Sequence, residues 1–157
     1  MVRQILFLTA FVLCAAGAQP AMANITDMKR LTEEMVKEAG ERFRQIGIEQ
    51  ATIEFNDSTS TVWLRDPYHL HMFGMSETGE IWADNIFPEV IGMNFENMAD
   101  FEGLPFGQMV IDNTPIDGSI YQIEIRFASP GSGDIVPGIG SCLRPEGKDV
   151  LCSWSEL

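Results

Sequence analysis

The stretch YHLHMFGMSETGEIWAD, residues 68–84, reads as two short strands around a tight turn, and the rest of the chain arranges itself about it. Before the turn, His69, His71, Phe73 and Met75 alternate with Leu70, Met72 and Gly74. Successive side chains of a strand point to opposite faces, so bulky groups in both sets imply a strand covered on both sides. Ser76-Glu77-Thr78-Gly79 forms the turn, with Gly79 supplying the left-handed backbone such turns need, and Glu80-Ile81-Trp82-Ala83-Asp84 returns. A central hairpin covered on both faces makes a floor for a small-molecule pocket.

Upstream, Met28, Leu31, Met35, Ala39, Phe43 and Ile46 recur at three- and four-residue steps, the stripe of one amphipathic helix over Thr26 to Ile46. Asn24 or Thr26 caps its start, Glu33–Lys37 and Glu38–Arg42 are favourable pairs four apart, and Gly47 is its stop. A shorter helical piece, Ile48 to Phe55, precedes the polar break at residues 56–60. Downstream of the hairpin, Pro88 and Gly92 keep the connection irregular, and Asn97 to Phe101 and Pro105 to Ile111 read as short helices. From Ser119 to Phe127 the period becomes two, which predicts a half-buried strand. Further strands follow near Ile135 to Leu143 and Asp149 to Trp154.

Residues 1–23 have the form of a secretory signal: Arg3, an apolar run from Ile5 to Ala18, and Ala21-Met22-Ala23 before the cut. The run is shorter than the roughly 20 apolar residues a membrane span needs, and Leu13 before Cys14 is too bulky for a lipid-attachment site. The expected mature chain is residues 24–157, one domain. Its remaining cysteines, Cys142 and Cys152, flank the turn-rich Arg144-Pro145-Glu146-Gly147-Lys148-Asp149, so a hairpin disulfide in an oxidising compartment is expected. The net charge of −13, which loss of Arg3 takes to −14, argues against nucleic acid and anionic membranes. The expected location is therefore periplasmic or secreted, without membrane insertion after signal cleavage.

The order long helix, hairpin, short helices, three strands resembles that of single Cache domains, the PAS-like extracytoplasmic ligand-binding modules of bacteria. Its best stretch is Pro88-Glu89-Val90-Ile91-Gly92-Met93-Asn94 followed by Asp100-Phe101-Glu102-Gly103-Leu104-Pro105-Phe106, similar to the family's proline, isoleucine-glycine-x-asparagine and glycine-x-proline-phenylalanine pattern. Glu54-Phe55-Asn56-Asp57 resembles the run that ends the family's second helix, and Gly79 with the strand after it resembles the family's hairpin. The resemblance covers nearly all of residues 24–157. It departs in lacking membrane helices and signalling domains, and in a third strand whose aromatic content is Tyr121 and Phe127. The resemblance implies an α+β, PAS-like fold: a long helix on an antiparallel sheet of about five strands, with short helices on the other face. It also implies a small organic ligand, often a carboxylate, between the sheet and those helices.

Five residues are candidate ligand contacts. His69 and His71, two apart on one strand, point the same way, either toward a ligand or into a partly buried core. Arg126 offers a planar fork to a carboxylate, or an ion pair across its strand. Trp82 and Tyr121 suit a pocket wall as well as a core. A metal site on His69 and His71, helped by Met72 or Met75, is the alternative, but it lacks further ligands. A purely protein-binding module is another. No serine elbow, phosphate loop or metal-helix motif points to catalysis or a cofactor, so the expected function is a binding module, sensor or carrier, working with a membrane receptor or transporter.

Overall fold

A computed structural model describes residues 24–65, 69–129 and 132–157. The signal segment, Cys14, Tyr68 and part of the loop after Ser129 lie outside the described residues.

The amphipathic stripe forms helix α1, Ile25–Phe55. Asn24 caps it, its side chain accepting the Thr26 N–H at 3.1 Å. Met28, Met35, Val36, Ala39 and Phe43 are buried along one face. Each of the larger ones, the Met, Val and Phe side chains, contributes about 1.5–3 kcal/mol when fully buried. Gly47, expected as a stop, is a kink: its φ is 72°, and the helix resumes and runs on to Phe55. Arg42 spans the kink. Instead of pairing with Glu38, its guanidinium donates to Glu54 at 2.6 and 2.9 Å, while Glu38 takes Arg65 at 2.6 Å.

Six antiparallel strands make one sheet: β1 Leu64–Arg65, β2 Leu70–Met75, β3 Ile81–Asp84, β4 Tyr121–Ala128, β5 Ile135–Leu143 and β6 Val150–Glu156. Their order is β1-β2-β6-β5-β4, with β3 also on β2. Strand β6 lies along one edge of β2, and the other edge is shared by β1, at Leu70 and His71, and β3, from Phe73 to Met75. The two-residue β1 is too short to leave a period in the sequence. Gly79 takes φ 83° in the β2–β3 turn, as the hairpin requires. Cys142 and Cys152 stand directly opposite each other on β5 and β6 and are bonded.

The sheet separates two cores. Beneath α1 lie Met35, Phe43, Phe55, Trp63, Leu70, Met72, Leu143 and Leu151. On the other face Phe73, Met75, Ile81, Ile123, Ile125, Val150 and Trp154 meet the short helices. Those helices are single turns at Pro88–Val90 and Phe95–Asn97, then α2, Phe106–Asn113. The helix expected at Asn97 to Phe101 is replaced by a turn centred on Asp100. Its carboxylate accepts the N–H groups of Glu102 and Leu104 at 2.9 and 2.8 Å, a local competition that removes donors from a helix. Pro105 sits immediately before α2 rather than within it. Arg144, a buried cation, donates to the carbonyls of Ile111, Thr114 and Lys148 and so ties the end of α2 to the β5–β6 turn.

Candidate functional site

The site begins with an irregularity in β3. Phe73 pairs with Asp84, Gly74 with Ala83, and Met75 with Ile81, which leaves Trp82 as one extra residue. Strict alternation would put Ile81 and Ala83 on one face and Trp82 and Asp84 on the other. The bulge instead sends Trp82 and Ala83 toward α1, and Ile81 and Asp84, three apart, to the opposite face. Gly74 makes room: a Cβ there would lie 2.5 Å from the Trp82 ring. That ring packs on Phe43 and Phe55, with centroids 6.0 and 6.3 Å away. Asn56, from the run that ends α1, clamps the bulge by donating to the Trp82 carbonyl at 3.1 Å and accepting the Asp84 N–H at 2.9 Å.

On the short-helix face the structure forms a half-open cavity of about 130 Å³. The sheet supplies His71, Phe73, Ile125, Phe127 and Trp154, and β3 supplies Ile81 and Asp84. Phe87, Val90, Phe95, Met98 and Phe106 close it from above. Its size is close to the roughly 150 Å³ cavity that takes a benzene-sized guest. Asp84 is held by the N–H groups of Ile86 and Phe87, which donate to Oδ1 at 2.9 and 2.7 Å. Its pKa is pushed up by burial, against the pull of His71 and these two donors. The His71 imidazole is pushed the other way, downward, by its own burial, with Asp84 opposing. His71 Nδ1 lies 2.8 Å from the His69 carbonyl oxygen. A carbonyl only accepts, so the ring proton sits on Nδ1 and Nε2 is the acceptor.

Of the five side chains expected as ligand contacts, the cavity wall contains His71. His69 precedes β2 with φ 47°, outside the extended run of the strand, and is not part of the cavity wall. Its Nδ1 lies 3.0 Å from Glu156 Oε1. Trp82 belongs to the core under α1, for the reason the bulge gives. Tyr121 faces the short-helix side but packs beside Cys142, outside the wall. Arg126 is half-exposed and lies 3.5 Å from Glu102 of the loop before α2 rather than in an ion pair across its strand, while Glu124 takes Lys29 at 2.9 Å. Among the described residues no group of three or more histidine, cysteine or acidic side chains is arranged to hold a metal. Met72 points under α1, away from His71.

The sequence reading missed Asp84, Trp154 and the aromatic lid of Phe87, Phe95 and Phe106. Asp84 carried one signal, an acid ending an otherwise apolar return strand.

The His71–Asp84 pair gives a measurable pH dependence. An unfolded imidazole takes up its proton near pH 6.5, whereas the buried one resists, so His71 lowers stability as the pH falls below that value. Asp84 acts in the opposite direction: its raised folded pKa adds stability as the pH falls through that value. His69, Glu89 and Glu156 complete the titratable surroundings. In Asp84→Asn, the urea midpoint should fall as the pH drops from about 7 to about 5. In the double variant that also carries His71→Phe, this fall should be shallower, and equal slopes would refute a neutral buried His71.

No family profile and no characterised protein sequence matches the chain. Solved structures do match in shape. A methyl-accepting chemotaxis protein from Vibrio parahaemolyticus superposes with TM-score 0.67 at 15% identity, over 84% of this chain and 90% of that one. A Cache chemosensory domain studied for its carboxylic acid recognition gives 0.63 at 16% identity, over 86% and 99%. The periplasmic sensor domain of a chemotaxis protein gives 0.61 at 17% identity, over 84% and 94%. Likeness at such identities is a likeness of fold, and it agrees with the element order, the sheet order and the two-sided packing described above. This chain has the α+β, PAS-like fold of a single Cache domain.

Proposed function

We propose that this chain is an extracytoplasmic binding module that holds one small organic molecule in the cavity between sheet and short helices. The observation that carries this reading is the cavity itself, a half-open aromatic pocket with two buried titratable groups in its wall. Backbone groups already hold each of them on one side, and binding sites combine apolar walls with a few placed polar groups in this way. The chemosensory and periplasmic sensor domains of the same fold support it. So do the signal-like residues 1–23 and the disulfide. No helix of the described residues is long and apolar enough to cross a membrane. In this reading the domain is a sensor or carrier that acts through a membrane receptor or transporter, and it binds its ligand without transforming it.

A thermal-shift screen over amines, amino acids, carboxylates, alcohols and sugars tests this. A ligand at a hundred times its Kd stabilises the fold by about 2.7 kcal/mol, a Tm rise on the order of 10 °C for a domain of this size. A screen silent across every class would leave a protein-binding module as the better account.

A further inference from the structure

We propose that the ligand is a small organic cation, a protonated alkylamine, with its ammonium group at Asp84 and its hydrocarbon part against the aromatic wall. This inference rests on the reading of the cavity as a ligand site and assigns the chemical class of its occupant.

The wall decides the sign of charge it accepts. Six of its residues are aromatic: Phe73, Phe87, Phe95, Phe106, Phe127 and Trp154. Aromatic faces carry negative potential and attract cations, most strongly where water is excluded. Asp84, only 7% exposed, is the acidic member of the wall. His71 is 4% exposed and presents Nε2 as an acceptor, because its Nδ1 proton is committed to the His69 carbonyl. Against these stands one fixed donor, the buried Trp154 indole N–H, which has no hydrogen-bond partner among the described residues.

A carboxylate ligand would need the reverse set. Among the described residues the wall contains no lysine or arginine. Arg126, the guanidinium that the sequence offered for this purpose, lies outside the cavity beside Glu102. An anion in the cavity would meet a carboxyl group, ring faces and a lone pair, with one neutral donor in compensation. An ammonium ion meets an acidic group and several π faces. It also offsets the penalty of burying the Asp84 charge, the same penalty that raises its pKa. The cavity of about 130 Å³ limits the occupant to a handful of non-hydrogen atoms.

The test uses three probes of nearly equal size that differ in charge, n-butylamine, n-butyrate and n-butanol, titrated calorimetrically into the mature domain at pH 7. The amine should bind at least tenfold more tightly than the other two. Asp84→Asn, which keeps an oxygen to accept the Ile86 and Phe87 N–H groups, should weaken the amine at least tenfold and leave butanol within twofold. Ring-proton contacts to the butyl chain, seen by NMR in the unmodified protein, should map to Phe73 and Trp154. Butyrate or butanol binding as tightly as the amine would overturn the cation assignment while leaving the ligand site standing. Failure of all three, with the broader screen also silent, would remove both. Should Asp84→Asn fail to fold, the comparison of the three probes in the unmodified protein decides alone.

Discussion

Replacing Gly107 with alanine should destabilise the domain by about 3 kcal/mol or more and open the wall of the proposed ligand cavity, an effect far beyond an ordinary helix glycine-to-alanine change. The first turn of α2 presses on the single turn at Phe95–Asn97, where the Gly107 N–H donates to the Met98 carbonyl at 3.1 Å. A Cβ on Gly107 would lie 1.7 Å from the Phe95 carbonyl oxygen and 2.8 Å from its carbon. Both are backbone atoms and cannot rotate aside, so α2 must move away. It would carry Phe106 out of its edge-on contacts with Phe95 and Trp154, at 5.2 and 5.8 Å between centroids, and so open the cavity wall. Gly92→Ala is the comparison: its Cβ meets nothing within 4 Å, and only its positive φ of 85° opposes the change, a strain of about 1 kcal/mol. Urea denaturation of both variants checks this, and equal losses would show that the contact at Phe95 is not what requires glycine.

The double variant Cys142→Ala/Cys152→Ala should lose about 2–4 kcal/mol. The bond links facing residues of β5 and β6 in the cavity-side core and restricts the unfolded chain by closing a short loop. It also lies within a row that crosses four strands, with Phe73 opposite Cys152 and Tyr121 opposite Cys142. Removing two sulfur atoms there thins the layer under Phe73, a wall of the cavity. Reductant added to the unmodified protein should reproduce most of the drop in urea midpoint. Unchanged stability on full reduction would refute the assigned contribution.

Elements whose signals are periodic or local were legible in the sequence. The stripe from Met28 to Phe43 required a helix, Gly79 marked the hairpin turn, and the turn-rich segment between two cysteines gave their pairing. Faces of the return strand were not legible. A bulge is decided by what the partner strand and the layer above can accommodate, and here the bare backbone of Gly74 receives the Trp82 ring. Once Trp82 is the extra residue, Asp84 changes face. Simple alternation therefore nominated the wrong member of the pair for the cavity side, as a slip of one residue reverses every face. Arg144 and Arg126 illustrate the same limit. Both are turn- or strand-adjacent cations in the sequence, yet one is buried on three carbonyls and the other is half in solvent. Only tertiary neighbours distinguish them.

The separation of the two cores also divides the chain's three tryptophans, and that makes the protein its own optical gauge. Trp63 and Trp82 lie under α1, and Trp154 stands in the cavity wall on the far side of the sheet. Indole emission follows the charge and polarity beside the ring, so a charged guest entering the cavity perturbs Trp154 and leaves the other two largely unaltered. Loosening of α1 does the reverse. A chain with Trp63→Phe and Trp82→Phe would emit from the cavity alone, and its fluorescence could be followed in real time while the guest is added, without any attached dye.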